Sequence, residues 1–122
     1  MLKSHESEEM YLETIYLLKR RRGAVRSIDV VEELGYAKSS VSRGVNLLQK
    51  KGYIEISHLT GDIEFTEEGL KKASSVYERH SVLTAALMKL GAPRELAEND
   101  ACRIEHVISP EMFSIIKTFA EK

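Results

Sequence analysis

The stretch Ser27–Gly52, SIDVVEELGYAKSSVSRGVNLLQKKG, constrains this chain more than any other. It reads as two helices joined by a tight turn. Ser27 stands where a first helix would be capped, and Ile28, Val31 and Leu34 share one face. Gly35 ends that helix, because glycine takes a left-handed C-terminal position without strain. A second helix is expected from about Lys38 to Lys51, with Val41, Val45 and Leu48 on its apolar back. Its other face carries Ser39, Ser42, Arg43, Asn46 and Lys50. From Gly35 to Ile54 there are four basic residues (Lys38, Arg43, Lys50 and Lys51) and no acidic one. An ordinary solvated helix hairpin would share the spacing. A front of Ser, Asn, Arg and Lys without a carboxylate suits the DNA major groove.

That local character matters because the chain as a whole is not basic. Lys plus Arg is 18 and Asp plus Glu is 19 in 122 residues, a net charge of -1, so any nucleic-acid surface has to be confined to a patch. At 43% hydrophobic and 30% charged the composition is that of a globular, soluble chain. The single cysteine, Cys102, excludes an internal disulfide and a cysteine-only zinc site. The polar start MLKSHESEEM does not read as a signal peptide, and no apolar run approaches membrane-spanning length. The expected compartment is the cytoplasm, with no membrane partner.

Before the central stretch, Ser7 to about Arg21 is expected as a helix. Ser7 is its candidate cap, Glu8 and Glu9 sit at its positive end, and Lys19-Arg20-Arg21-Arg22 sit at its negative end. After it, GYIEISHLTGDIEFT alternates Ile54, Ile56, Ile63 and Phe65 with polar residues around a turn at His58–Gly61, which predicts a hairpin. A hairpin directly after a recognition-type helix is the order of a winged helix. From residue 66 to about 90, Leu70, Ala73, Val76, Tyr77, Leu83, Leu87 and Leu90 predict one long connector helix. Pro93 opens another helix to about His106, and Ser109-Pro110-Glu111 opens the last. The expected fold is therefore mainly α. A winged helix-turn-helix domain occupies residues 1–65, and an all-helical dimerisation domain occupies residues 66–122. The apolar faces of the last three helices exceed what one chain can cover, which predicts a homodimer.

Cys102, Glu105 and His106 fall at i, i+3, i+4, one face of the helix expected there. Thiolate, carboxylate and imidazole together form a ligand set for a first-row transition metal. Further donors would come from other helices: Met10 and Glu13, one turn apart, and His80 in the apolar stripe. Each has a plainer role open to it: core for Met10, solvated surface for Glu13, a satisfied core histidine for His80.

Glu9-Met10-Tyr11-Leu12 with Thr14-Ile15-Tyr16, then Ser39-Ser40-Val41-Ser42, then Ala101-Cys102-Arg103-Ile104-Glu105-His106-Val107 resemble the diphtheria-toxin repressor and manganese-transport regulator family over nearly the whole chain. The resemblance implies metal-activated DNA binding by a dimer. By position, Met10, Cys102, Glu105 and His106 match the primary site of the iron-responsive branch. Glu13 and His80 match ligands of the manganese branch. His80 also matches the iron branch's ancillary site, where Glu98 stands in place of a histidine. The chain departs from the manganese branch, which has carboxylates where Met10 and Cys102 stand. It departs from the iron branch, which carries an extra C-terminal domain, whereas this sequence stops at Lys122.

The expected function is a metal-dependent repressor that binds operator DNA as a homodimer and controls metal-ion homeostasis, without enzymatic activity or a small organic substrate. Ser39, Ser42 and Arg43 are assigned to base edges; Ser27, Ser40, Asn46 and Lys50 to phosphates; Lys38 completes the DNA set. The thioether and thiolate soften the site, which favours Fe2+, Co2+ or Ni2+ over Mn2+, with Fe2+ the expected activator. Cysteine ligation releases a proton, so activation is expected to weaken as pH falls. Two rivals belong to other classes. One is a winged-helix regulator answering an organic ligand. The other is a metal-dependent hydrolase with Glu105 as general base, for which no second catalytic constellation is present.

Overall fold

The computed structural model describes residues 4–122, with side chains from Ser7 onward. The order is α1 (Ser4–Arg22), α2 (Ser27–Leu34), α3 (Lys38–Lys50), β1 (Ile54–Ile56), β2 (Ile63–Phe65), α4 (Glu67–Lys89), α5 (Arg94–Ile104) and α6 (Pro110–Glu121). This is the mainly helical winged helix-turn-helix with a helical second half that the residue pattern predicts. The chain divides into two compact units, the first ending at Ser74 and the second running from Ser75 to Lys122. The opening turns of α4 thus belong with the N-terminal unit. Ala73 is fully buried in its core, and a Cβ at Gly69 would fall 1.8 Å from the Tyr53 carbonyl oxygen, so only glycine allows α4 to start against that backbone.

The core of the first unit joins Leu12, Ile15 and Leu18 of α1 to Val30 of α2, Val41, Val45 and Leu48 of α3, and Ile54 and Ile63 of the hairpin. The predicted apolar back of α3, Val41, Val45 and Leu48, is the buried one. The hairpin is antiparallel, pairing Ile54 with Phe65, Glu55 with Glu64 and Ile56 with Ile63. The Ile63 amide also donates to the Val25 carbonyl at 2.7 Å, which ties the hairpin to the α1–α2 loop.

Three terminal details differ from expectation. Ser7 lies inside α1, so it caps nothing. Ser27 is the first residue of α2 and not its cap. Arg26 holds the cap position, and the Asp29 carboxylate accepts from the Arg26 amide at 2.8 Å, closing the end that a serine hydroxyl was expected to close. The third is α5, expected to reach His106, which ends at Ile104. Glu105 keeps helical dihedrals as the C-cap, and the Val107 amide donates to Ile104 in a tighter turn. Further on, Pro110 disfavours helical geometry at Ser109, whose hydroxyl accepts from the Met112 amide at 3.1 Å and caps α6.

In the second unit, Val76, Leu83 and Ala86 of α4 are buried, as are Ala97 and Ala101 of α5. No residue of α6 is fully buried. Leu83, Ala86, Leu87, Ile104, Ile116 and Phe119 are among the walls of an apolar groove of about 370 Å³. Among the described residues no helix is long and apolar enough to cross a membrane.

Candidate metal centre and nucleic-acid interface

The second unit is built around a buried carboxylate. Glu105 is 0% exposed, at the point where α5 gives way to a turn. His80 of α4 places Nδ1 3.1 Å from one of its oxygens, and His106 places Nε2 3.3 Å from the other. The Cys102 sulfur, one turn back on the exposed side of α5, lies within 4.8 Å of a Glu105 oxygen. The helix ends before Glu105, so Cys102, Glu105 and His106 do not form the continuous helical face expected from their spacing. The i, i+3 relation of Cys102 and Glu105 survives because Glu105 still donates its amide to Ala101 at 2.9 Å. His80, expected in the apolar stripe, instead turns its imidazole to the carboxylate. It also lines a cavity of about 250 Å³ with Thr84, Met88, Arg94 and Glu98, which puts Glu98 and His80 on the same recess.

Burying a carboxylate costs several kcal/mol unless it is paired and hydrogen-bonded. Here it is bracketed by two imidazoles with a thiol in reach, a donor set that suits a divalent first-row ion. The residues present fit such an ion.

Met10 and Glu13 lie one turn apart on α1, in the first unit. Glu13 is buried, contrary to the solvated role open to it from sequence. Met10 is partly buried, and its sulfur accepts a hydrogen bond from the Tyr36 hydroxyl at 3.5 Å. The next residue, Tyr11, donates its hydroxyl to the Ser40 carbonyl at 3.4 Å. Its ring lies where a side chain at Gly44 would be, 2.3 Å from the Cβ position. Burial pushes the Tyr11 phenol pKa up, Tyr36 adds to that, and Arg43 opposes it. None of these contacts was signalled by the sequence pattern.

On α3, Lys38, Ser39, Ser42, Arg43, Asn46 and Lys50 are exposed and Ser40 is partly covered, as is Ser27 at the start of α2. Among the described residues none of Lys38, Arg43 and Lys50 forms a salt bridge. The basic run at the end of α1 is taken up differently. Lys19 reaches the Ile63 carbonyl at 2.9 Å and Glu64 at 3.2 Å, Arg21 pairs with Glu33 and Arg22 with Asp29. Arg20 lies over the Tyr16 ring, 5.7 Å from its centre, whereas Lys38, Arg43 and Lys50 of α3 stay exposed outside any of these pairings. Ser27, Ile28, Val31, Lys38 and Ser42 line a recess of about 270 Å³ where α2 meets α3.

Comparison with known proteins gives two family matches. Residues 3–61 match the family described as iron dependent repressor, N-terminal DNA binding domain. Residues 66–122 match iron dependent repressor, metal binding and dimerisation domain. An uncharacterised HTH-type transcriptional regulator of Methanocaldococcus jannaschii is 30% identical over 119 residues, 96% of this chain and 94% of that one. The HTH-type transcriptional regulator MntR of Lysinibacillus sphaericus is 35% identical over 103 residues, 84% of this chain and 73% of that one. A solved manganese-dependent transcriptional repressor in complex with manganese superposes with a TM-score of 0.84 at 22% identity, covering 93% of this chain and 52% of that one. The chain thus spans about half the length of that solved protein. The matches leave one assignment: this chain belongs to the iron-dependent repressor family.

Proposed function

We propose that this protein is a repressor that binds operator DNA as a homodimer when loaded with a divalent transition metal. The observation that carries the reading is the pairing, in one chain, of a carboxylate-free recognition helix with a buried carboxylate bracketed by His80 and His106. Ser39, Ser42 and Arg43 meet base edges, while Ser27, Lys38, Ser40, Asn46 and Lys50 hold phosphates. Cys102, Glu105, His106 and Met10 are the ligands we assign, with Glu13, His80 and Glu98 as candidates for a second ion. When bound, the ion supplies positive charge and directional bonds to these donors, favouring the arrangement of the chain that presents them together. The apolar groove and α6 are the surface we assign to the partner subunit. The same reading puts the protein in the cytoplasm, controlling metal-ion homeostasis.

Among metals, the Met10 thioether and the Cys102 thiolate argue for ferrous iron, with cobalt or nickel substituting and manganese weaker. The burial of Glu13 and the contact of His80 with Glu105 favour manganese as the second reading. The test is DNA binding titrated with each ion under anaerobic conditions, with and without chelator. Iron is expected to activate at lower free concentration than manganese, and Met10→Asp with Cys102→Glu to reverse the order. Manganese acting first on the unaltered protein would refute the softness argument. DNA binding indifferent to chelator would refute the metal-dependent reading.

A further inference from the structure

We propose that Tyr36 is a positioning residue for Met10, fixing the thioether from the turn of the helix-turn-helix. The inference rests on the reading of Met10 as a metal ligand. Tyr36 follows the left-handed Gly35 that ends α2 and precedes α3, so it belongs to the turn. Its hydroxyl donates to the Met10 sulfur at 3.5 Å across 26 residues of sequence. Tyr36 is 41% exposed, so packing alone does not account for its place.

A methionine side chain has three rotatable bonds and a weakly directing sulfur, and fixing it costs conformational entropy. Imidazole and carboxylate ligands are oriented by the partners of their second polar atom. A thioether has no second polar atom, so only a donor to the sulfur itself can do this. The sulfur carries two lone pairs. One can accept from Tyr36 while the other remains for a cation, so the two interactions are compatible. Tyr11, one residue on, is bound to the Ser40 carbonyl and packed on Gly44, so the Met10-Tyr11 pair is fastened to the turn and to α3 at once.

The test uses Tyr36→Phe, which keeps the ring and removes the hydroxyl. In the metal-free protein the Met10 methyl resonance is expected to shift and its line shape to change. Affinity for ferrous iron or cobalt, measured by competition with a chromophoric chelator, is expected to fall about 3- to 10-fold, at the low end of what outer partners of metal ligands contribute. At saturating metal, operator affinity is expected to return to the level of the unaltered protein. Unchanged metal affinity and an unchanged methyl resonance would overturn the inference. So would a loss of operator affinity that persists at saturating metal with metal binding intact, which would make the hydroxyl a DNA contact. Met10→Leu separates this from the reading beneath it. If that variant also binds metal normally, Met10 is no ligand and both fall. If it binds metal weakly while Tyr36→Phe does not, only the role of Tyr36 falls.

Discussion

Glu8→Gln tests how the first unit is held together. The Glu8 side chain is 4% exposed, and its oxygens accept from Lys51 Nζ at 2.6 Å and from Lys72 Nζ at 2.5 Å. Lys72 also reaches the Tyr53 hydroxyl at 3.3 Å and lies 4.9 Å from that ring's centre. One carboxylate thus fastens α1 to the end of α3 and the start of α4. A buried hydrogen bond to a charged group contributes roughly 1.5–3 kcal/mol. The ammonium groups here are partly solvated, with Lys51 and Lys72 side chains 45% and 32% exposed, so two such bonds are worth less than their sum. Glutamine keeps one oxygen but turns an NH2 group on the other lysine. The expected loss is about 2 kcal/mol. Burial pushes the Glu8 pKa up, but the hydrogen bonds and charges of Lys51 and Lys72 together outweigh it and hold the carboxyl below its ordinary value. A carboxyl with a lowered folded-state pKa contributes stability that is fully present above its unfolded pKa and lost as pH falls through the folded one. The gap between wild type and Glu8→Gln, measured by urea unfolding followed by circular dichroism, is therefore expected to be full at pH 7 and to close well below pH 4.5. A gap under about 0.5 kcal/mol at pH 7, or one that persists undiminished in acid, would refute the argument.

Arg43→Ala is expected to weaken operator binding by about 1–3 kcal/mol and relax base preference, whereas Lys50→Ala weakens binding to all sequences alike and flattens the salt dependence; titrations at several salt concentrations distinguish them. Gly44→Ala gains about 1 kcal/mol of helix propensity but forces the Tyr11 ring aside at a cost of about 1–3 kcal/mol. A net loss is expected, and in a Tyr11→Ala background the same change is expected to stabilise, as a double-mutant cycle would show. Sedimentation of the metal-free protein at micromolar concentration is expected to show a dimer and Ile115→Glu a monomer, since Ile115 is 64% exposed on the groove of the second unit.

The helix-turn-helix and the wing were legible because their signals are local. Val41, Val45 and Leu48 repeat at helical spacing, Ile54 and Ile56 at strand spacing, and glycines mark the changes. The donors at Cys102, Glu105 and His106 were legible as residue types, but not the position of Glu105 just past the last residue of α5. What stayed hidden depends on pairs distant in sequence. Glu8 meets Lys51 and Lys72 across 43 and 64 residues, and Glu8 beside Glu9 at a helix start reads as ordinary end-of-helix charge. Ser27 misled as a cap because serine is the default choice there, whereas Asp29 does the work from inside the helix. Gly44 had no visible reason to be glycine until the ring of Tyr11 filled the space.

These contacts bear on how a signal at Met10 could reach DNA. Within the first unit α1 is fastened along its length: Glu8 to the end of α3, Met10 to the turn, Tyr11 to the body of α3, Lys19 to the wing and Arg22 to α2. The Tyr11–Gly44 approach leaves no room for α3 to slide along α1 without moving the ring. Packed interfaces of this kind resist continuous deformation. A displacement of Met10 is expected, in the proposed mechanism, to move α2, α3 and the wing with α1. In the proposed mechanism, what metal changes is then the placement of this unit as one body, and with it the spacing between the two recognition helices of a dimer. On that mechanism the exposed face of α3 is expected to meet the major groove without remodelling.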